Sequence, residues 1–445
     1  MLTRIAESPV QESDPFEDDA FGRKILGINF VTMLQQLVGP LTIALTGPYG
    51  YGKTHFLKRC EQLLRNKKVP TLLINAWETD FTPDPLAALV SELTTRFKEQ
   101  LCDDQKRVES LKKIAGKAIA IGLPIAIKLL TANLIDLAKL PDLGLDEKAE
   151  KLAEDAISKF ESSRESINDL KSELQKFAES LLAETTFPLV IIIDELDRCK
   201  PSYAVQYLEI IKHLFSVPRV VFVLGVDAHQ LGVAASAVFG AGLKSEEYLR
   251  RFIDLECELP RPNLTAYCRS AGPSIMRTTT GIIPDDFIPL LQPIGAFLEA
   301  AKFSIRRTEQ FFARVGLIWL VSGRRFNVVE VVFFALCREL FPEPYKDLIA
   351  ARTTAWRIFE MLDELVPGFV LKYADGTGFY LFLWPLLTFG SRIKPNDFLT
   401  KLKASRFAIP MQKYLTNFQD RAIDYNLSEL ETLDSVVQFA ASVSK

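Results

Sequence analysis

The sequence has 445 residues, an apolar share of 48% and a formal net charge of −3. Such a chain is long enough for about two or three domains with apolar cores, and its near-neutral charge gives no electrostatic case for nucleic acid. With six scattered cysteines and three histidines, no zinc site can be assembled, and free thiols without a signal peptide predict a reducing, cytoplasmic setting.

A glycine-rich loop follows the first predicted strand. Leu41–Leu45 is a short apolar run typical of a buried strand, and His55–Asn66 is predicted to form a helix. The residues between them fit the pattern G-x-x-x-x-G-K-[ST] through Gly47, Gly52, Lys53 and Thr54. A plain turn between strand and helix is the alternative, but the strand before the loop and the helix after it favour a phosphate-binding site.

The chemistry of phosphate binding requires these residue types in this order. Glycines let the backbone curl so that successive N–H groups point at phosphate oxygens, and the helix N-terminus adds positive charge. Lys53 would neutralise the β- and γ-phosphates, and the Thr54 hydroxyl would bind Mg²⁺. We therefore predict that ATP is bound by Gly47, Pro48, Tyr49, Gly50, Tyr51, Gly52, Lys53, Thr54 and His55.

An unusually long stretch then precedes the next acidic strand end, and it predicts an insert over residues 98–183. Within it, Ala118–Leu137 is apolar but contains Lys128, which favours a buried or partner-facing helix over a membrane span. A peripheral membrane contact through residues 114–137 stays open. Asp146–Ala183 combines high charge with a heptad of apolar residues, which predicts a long amphipathic helix that packs back as a hairpin or pairs with another subunit.

The next predicted strand would deliver carboxylates to the metal. Pro188 is followed by the apolar run LVIII and then by Asp194 and Glu195, and such a run is typical of a parallel strand buried on both faces. Asp194 would hold Mg²⁺ through its water shell, and Glu195 would act as general base on the attacking water. An acidic helix N-terminus after a core strand is the alternative, and the phosphate loop makes it the weaker one.

A third apolar strand extends from Arg219 to Asp227. In NTPases with a separate catalytic glutamate, this strand lies between the loop strand and the metal strand. Asp227 at its end would reach the γ-phosphate or the water, or would cap the following helix, and the two roles are compatible.

Six segments occur in a fixed order along Phe21–Pro262: FGRKILGINFVTMLQQL, GPYGYGKT, INAWETDFTPDPLAALV, IIIDELDRCKPSYAVQYLEIIKHLF, VVFVLGVDAHQL and EEYLRRFIDLECELPRP. Together they resemble the KAP family of P-loop NTPases, in which a second aspartate often stands at the position of Glu195. The resemblance implies an ATPase with the residue roles given above. It also implies a link to membrane-associated signalling and, for some bacterial members, to phage exclusion. Trp77, within the NAW stretch, is expected to be a packing residue.

Two pairs of arginines are candidates for contacts to the nucleotide. Arg250 and Arg251 precede a strand, where related ring-forming NTPases place an arginine that reaches the neighbouring subunit's site. A salt bridge to the acidic pair at 246–247 is the alternative. Arg306 and Arg307 begin FSIRRTEQFFARV, which resembles the lid helix of AAA-type NTPases, and they would contact the γ-phosphate of the same chain or lie at a solvated helix start.

The predicted fold is α/β: a P-loop NTPase core with a parallel sheet in AAA/STAND-like strand order, a long helical insert and a helical C-terminal lid domain. Residues 264–445 show helical periodicity, and their apolar patch at 378–390 is expected to form core more readily than a partner face. The domains assigned are a tail, 1–20; the core, 21–97 and 184–262; the insert, 98–183; and the helical domain, 263–445.

Three functions are compatible with this sequence. The first is a Mg²⁺-dependent ATP hydrolase that acts as a nucleotide-driven switch for self-association or for assembly with partner proteins. The second is a nucleotide-binding scaffold with little turnover, and the third is a P-loop kinase for small molecules. Glu195 beside Asp194 favours water as the acceptor, so we predict the first, with antiphage defence as the setting that the resemblance implies.

Overall fold

The computed structural model describes residues 10–82, 85–100, 186–214, 216–323, 326–349 and 355–368, together with scattered helical positions between 168 and 179. These residues form two compact units. The described residues at 10–19 and within 23–260 form the sheet unit, and those at 20–22 and after 260 form the helical unit. The segment at 114–137, most of the predicted amphipathic helix and the apolar patch at 378–390 lie outside the described residues, and the assigned domain boundaries stay predictions.

The sheet unit is built around a five-stranded parallel sheet of order β2-β3-β4-β1-β5. Its strands are β1 (Leu41–Thr46), β2 (Thr71–Asn75), β3 (Leu189–Asp194), β4 (Val220–Val226) and β5 (Leu255–Glu258). Every residue of β3 and β4 is buried, as expected for continuous apolar runs covered on both faces. Because β4 pairs with both β1 and β3, the predicted strand order is confirmed.

Helices cover both faces of this sheet. Alternate strand residues point to opposite faces, so Val190 and Val223 share one core cluster while Ile191 and Leu224 share another. The first face packs against α1 (Lys24–Gln36) and α2 (Lys53–Asn66). The second face packs against α3 (Pro85–Gln100), α4 (Pro201–Leu214), α5 (Ala228–Phe239) and α6 (Ser245–Leu249). The unit is therefore a three-layer α/β/α structure.

Part of the predicted insert belongs to this core. Leu174 and Ala178 are 2% and 1% exposed and lie in the cluster that contains Leu89 and Leu208. Leu174 belongs to the heptad of apolar residues within 146–183, but that pattern does not predict that its partners are residues of the sheet unit. The chain near 174–178 therefore contributes to the fold of the sheet unit.

The helical unit is α-helical over the residues described after 260, as predicted. Its helices are α7 (Leu264–Thr280), α8 (Leu291–Ala300), α9 (Ile305–Val321), α10 (Val328–Leu340), α11 (Pro342–Ile349) and α12 (Ala355–Leu365). Aromatic residues such as Phe287, Phe312 and Phe333 are fully buried in its core. Ser304 caps the N-terminus of α9, the helix predicted as the lid helix.

A helix that spans a bilayer needs about 20 consecutive apolar residues. Over the ranges that the structure describes, no helix is both long enough and apolar enough to do so.

Candidate functional site

The loop between β1 and α2 closes around a lysine. Gly50 and Gly52 have φ angles of 80° and 81°, a backbone conformation that side chains with a Cβ rarely adopt. Within the loop, the Tyr51 N–H donates to the Pro48 carbonyl over 3.2 Å. The Lys53 ammonium donates to the Gly47 carbonyl over 2.7 Å and is largely buried. A cation thus lies inside a curled backbone at a helix N-terminus, an arrangement suited to phosphate.

Arg23 holds this loop from the side. Its guanidinium donates to the Tyr51 carbonyl over 2.7 Å and to the Pro260 carbonyl over 2.6 Å. Burial lowers the pKa of Arg23 to about 10, so the side chain stays charged at neutral pH. The loop is thereby tied to the backbone that follows β5.

Asp194 ends β3 next to the start of α2. It is 3% exposed, accepts a hydrogen bond from Thr54, and accepts the Glu195 backbone N–H over 3.0 Å. Burial raises the pKa of Asp194 to about 6. Since Asp194 forms no ion pair with any residue that the structure describes, a cation that binds here would offset the cost of burying its charge.

Gly225 provides the space for this carboxylate. It lies opposite Asp194 in the β3–β4 register. A Cβ at this position would be 2.7 Å from Oδ1 of Asp194 and 2.4 Å from Cδ1 of Leu57, both too close for real atoms. The absent side chain at Gly225 therefore lets the Asp194 carboxylate and α2 lie side by side.

Glu195 is the point at which the neighbouring polar groups converge. Its backbone is left-handed, with φ 62° and ψ 23°, which costs a non-glycine residue about 1 kcal/mol or more. Its Oε1 accepts from the Thr54 hydroxyl over 3.4 Å, and its Oε2 accepts from the Asn75 amide over 3.3 Å. An ion pair with Arg198 at 2.7 Å completes the set. The sharp turn thus places the Glu195 carboxylate beside the start of α2.

Arg198 joins the phosphate loop to the segment after β2. Its guanidinium lies over the Tyr49 ring at 4.7 Å and over the Trp77 ring at 5.7 Å. Trp77 is 49% exposed, so the expectation that it is a packing residue is wrong. An exposed aromatic face attracts a cation, and here Trp77 contacts Arg198.

The two family-typical segments also contact each other beyond this stack. The Lys200 ammonium donates to the Asp80 carbonyl over 3.0 Å, and the hydroxyls of Thr79 and Tyr203 are 3.0 Å apart. The NAWETD segment and the chain from Asp194 to Tyr203 are therefore joined by polar contacts at the carboxyl ends of β2 and β3.

Two further aspartates, Asp197 and Asp227, contact each other beside the site. Asp227 caps α5 by accepting the backbone N–H groups of His229 and Gln230 over 3.1 and 3.2 Å, which is the second of the two roles predicted for it. The Asp227 backbone N–H in turn donates to Asp197. Burial raises the pKa of Asp197, while nearby Lys53 lowers it.

His55 contacts an arginine. Nε2 of His55 lies 3.0 Å from Nη2 of Arg59, and the buried Arg59 also pairs with Asp18 at 2.7 Å. These contacts fasten the segment before α1 to α2. The predicted contact of His55 with nucleotide stays a prediction.

The other candidate arginines lie in two places. Arg250 and Arg251 follow α6 with exposed side chains, and Glu247 pairs with Lys244 at 3.0 Å and, over the described ranges, with neither arginine. Arg306 and Arg307 are exposed at the start of α9, in the helical unit. Arg307 pairs with Glu339 at 2.9 Å and stacks on Phe303. Their proposed contacts with the γ-phosphate stay predictions.

The strand order, the lysine-containing loop and the paired acids at the end of β3 define a P-loop NTPase. Residues 28–278 match the model of the KAP family P-loop domain. Because this match covers more than half of the chain, the protein belongs to the KAP family, and the resemblance seen in the sequence is confirmed. Membership in this family places it among nucleotide-binding proteins.

Comparison with other known proteins adds little. No curated protein matches the sequence. The solved structure of the Aeropyrum pernix ORC2 protein (ADPNP-ADP complexes) is 13% identical, covering 95% of each chain with a TM-score of 0.38. That of C. elegans PCH-2 is 13% identical, covering 74% of this chain and 69% of that one with a TM-score of 0.30. At such TM-scores neither structure contributes to the assignment.

Sequence patterns missed Asn75, Arg198 and Gly225 as residues of this site. Asn75 and Arg198 lie inside the quoted family segments. Asn75 contacts Glu78, three residues later, and Arg198 contacts Glu195, three residues earlier. The spacing of Arg198 from Glu195 was the available signal. Gly225, in contrast, owes its role to a neighbouring strand and left no local signal.

Proposed function

We propose that the protein is a Mg²⁺-dependent ATP hydrolase. The observation that carries the proposal is the convergence of Lys53, Thr54, Asp194 and Glu195. The Thr54 hydroxyl contacts both carboxylates, one of them over 3.4 Å, directly beside the lysine of the loop. Adjacent acids at a strand end, next to a phosphate loop, are the groups that hydrolysis of a nucleoside triphosphate requires.

Each of these residues has a distinct chemical role. Lys53 and the backbone N–H groups of the loop bind the phosphates, and Thr54 and Asp194 are the oxygen ligands that would hold Mg²⁺. When bound, Mg²⁺ supplies positive charge to the β- and γ-phosphate oxygens. Glu195 accepts the proton of the attacking water. Its Oε1 lies 3.4 Å from the Thr54 hydroxyl, beside the loop that would bind the phosphates.

The output of this activity is proposed to be assembly. In this proposal the nucleotide state switches self-association or binding to partner proteins, and antiphage defence is the biological setting. Support comes from the family resemblance and from Asp227. This residue follows β4 and caps α5, so a contact between Asp227 and the γ-phosphate would couple the nucleotide state to the position of α5.

Glu195→Gln tests the proposal. The amide keeps the shape of the side chain but cannot accept a proton, so phosphate release should fall about 10²- to 10⁴-fold. ATP should still bind, because the amide leaves Lys53, Thr54 and Asp194 in place. Release of inorganic phosphate and binding of a fluorescent ATP analogue should be measured on the same preparation, with and without Mg²⁺. Lys53→Ala, which removes the cation inside the loop, is the control that should lose binding.

The alternatives give different results in the same assay. A parent protein that binds ATP but releases no phosphate would be a scaffold. Phosphate transfer that appears only with an added small-molecule acceptor would identify a kinase. A Glu195→Gln variant that hydrolyses ATP at the parental rate would place the base elsewhere, with Asp197 as the next candidate.

A further inference from the structure

The Arg198 side chain contacts three parts of the site at once. Its Nη1 lies 2.7 Å from Oε1 of Glu195, its guanidinium covers the Tyr49 ring at 4.7 Å, and the Trp77 ring lies at 5.7 Å. One cation therefore connects the proposed general base, the phosphate loop and the segment after β2. Proton abstraction by Glu195 does not itself require this cation.

The contacts on Glu195 oppose its use as a base. A carboxylate has about four lone-pair positions for hydrogen bonds. Thr54 and Asn75 each donate to one, and Nη1 of Arg198 forms an ion pair with Oε1. The contact with Arg198 is the shortest of the three, at 2.7 Å, and it joins opposite charges. As long as it persists, Oε1 is turned toward protein groups and is poorly placed to accept a proton from water.

We propose that Arg198 restrains Glu195, and that turnover requires this ion pair to open. The inference rests on the proposed hydrolytic function. A triphosphate supplies a competing partner, because Tyr49 belongs to the loop that would bind the phosphates and a guanidinium binds phosphate as readily as carboxylate. The stack on Tyr49 and Trp77 keeps the guanidinium at the loop once it leaves Glu195. Arg198 is thus a positioning residue that makes the base responsive to the nucleotide.

Substitution of Arg198 tests the restraint through turnover. Arg198→Ala should raise kcat for Mg·ATP about threefold to tenfold, the range expected when one ion pair of moderate strength is removed. KM should rise modestly, because the phosphate contact proposed for Arg198 is lost while Lys53 and the N–H groups of the loop remain. Arg198→Lys keeps the charge but loses the planar fork and should lie between the parent and Arg198→Ala; it also serves as the second variant if the alanine protein fails to fold.

Two controls separate a restraint from a general effect on structure. In a Glu195→Gln background, Arg198→Ala should give no increase, because the residue acts through the carboxylate. Arg65→Ala removes an exposed arginine that pairs with the half-buried Glu61 on α2, away from the site, and should leave kcat unchanged.

The outcomes distinguish this inference from the proposed function. If the parent hydrolyses ATP and Arg198→Ala is equal or slower, the restraint is wrong and hydrolysis stands. If both proteins bind ATP and neither releases phosphate, hydrolysis itself is refuted and the restraint fails with it. An increase that persists in the Glu195→Gln background would also overturn the restraint.

Discussion

At the scale of single residues, Gly225 limits where Asp194 can lie. Gly225→Ala would place a methyl group 2.7 Å from Oδ1 of Asp194 and 2.4 Å from Leu57, so the carboxylate or α2 must move. We expect the Mg²⁺-dependent affinity for ATP to fall at least about tenfold, and the free energy of unfolding to fall by about 1–3 kcal/mol. Nucleotide titration and urea denaturation measure the two effects.

A matched control exists for this substitution. Gly242 has no heavy atom within 4 Å of a Cβ built on it, so Gly242→Ala should affect neither nucleotide affinity nor unfolding. Parental Mg²⁺-dependent affinity in Gly225→Ala would show that Asp194 does not need this space.

The raised pKa of Asp194 predicts a pH dependence with a definite sign. Burial raises this pKa from 3.8 to about 6, so the folded protein binds the proton more tightly than the unfolded chain does. Without metal, the contribution of Asp194 to stability is therefore most favourable below about pH 4 and is lost as pH rises through about 6. Because Mg²⁺ requires the carboxylate, its affinity should fall by up to about tenfold per pH unit below about pH 6.

Calorimetric titration with Mg²⁺ and an ATP analogue at pH 5, 6 and 7.5 measures this dependence. Asp194→Asn removes the titrating group and should bind Mg²⁺ weakly at every pH. An affinity for Mg²⁺ in the parent that is the same at pH 5 and pH 7.5 would contradict the role of Asp194 as a ligand.

Local patterns reveal some residues of this site and not others. Lys53, Thr54, Asp194 and Glu195 follow from short motifs, because their roles depend on neighbours in the chain. Arg198 also contacts Tyr49 and Trp77, which follow β1 and β2 and meet it only in the folded protein. The sequence therefore predicts the ligands of the phosphates but not the restraint on the base.

At the scale of elements, the strand order was predictable from the sequence. The packing of the segment before α1 and of the insert against the sheet unit was not. Continuous apolar runs identify buried parallel strands. Asp194 at the end of β3 then identifies β3 as the strand that carries the metal ligand, and this role fixes its place in the sheet relative to β1. Nothing local predicts that Phe16 lies on Gly27 of α1, where a Cβ would be 2.2 Å from the ring. Likewise, a heptad pattern predicts that Leu174 is buried, but it does not specify the partner.

The burial of Leu174 makes a prediction about deletions in the insert. Replacing residues 101–165 with a flexible Gly/Ser linker should leave ATP binding intact, because the proposed phosphate ligands and Leu174 are retained. Deleting residues 98–183 also removes Leu174 and Ala178 from the core, and loss of one buried leucine alone costs about 2–5 kcal/mol. The larger deletion should therefore unfold at lower urea concentration than the smaller one.

Circular dichroism during urea denaturation, with nucleotide binding as the second readout, compares the two deletions. The substitution Leu174→Ala in the full chain isolates the core contact from loop length. Equal stability of the two deletions would show that the contacts of Leu174 contribute nothing to the fold.

At the scale of the whole molecule, the proposed switch requires assembly to depend on the nucleotide. Glu195→Gln protein should accumulate with ATP bound and so display the assembly that this state favours. Light scattering after size-exclusion chromatography, with ATP and without, measures the mass directly. A mass that is identical with ATP, with ADP and without nucleotide would remove self-association as the output and leave binding to partner proteins.

If the assembly is a ring or filament, Arg250 and Arg251 are placed to act across a subunit boundary, since both are exposed just before β5. Alanine at either position should then reduce turnover and leave ATP binding nearly intact, because the missing cation belongs to a neighbour's site.

Mixing such a variant with Lys53→Ala protein should restore part of the activity. In the mixture, the arginine of the Lys53→Ala subunit completes a site whose loop is intact. In a mixture of Lys53→Ala with Glu195→Gln protein, every subunit lacks either its own phosphate-binding lysine or its own base. No site can then be completed by a neighbour, and no recovery is expected. Absence of recovery in the first mixture, with mixed oligomers verified by two differently tagged subunits, would refute a role in trans and leave both arginines as surface residues after α6.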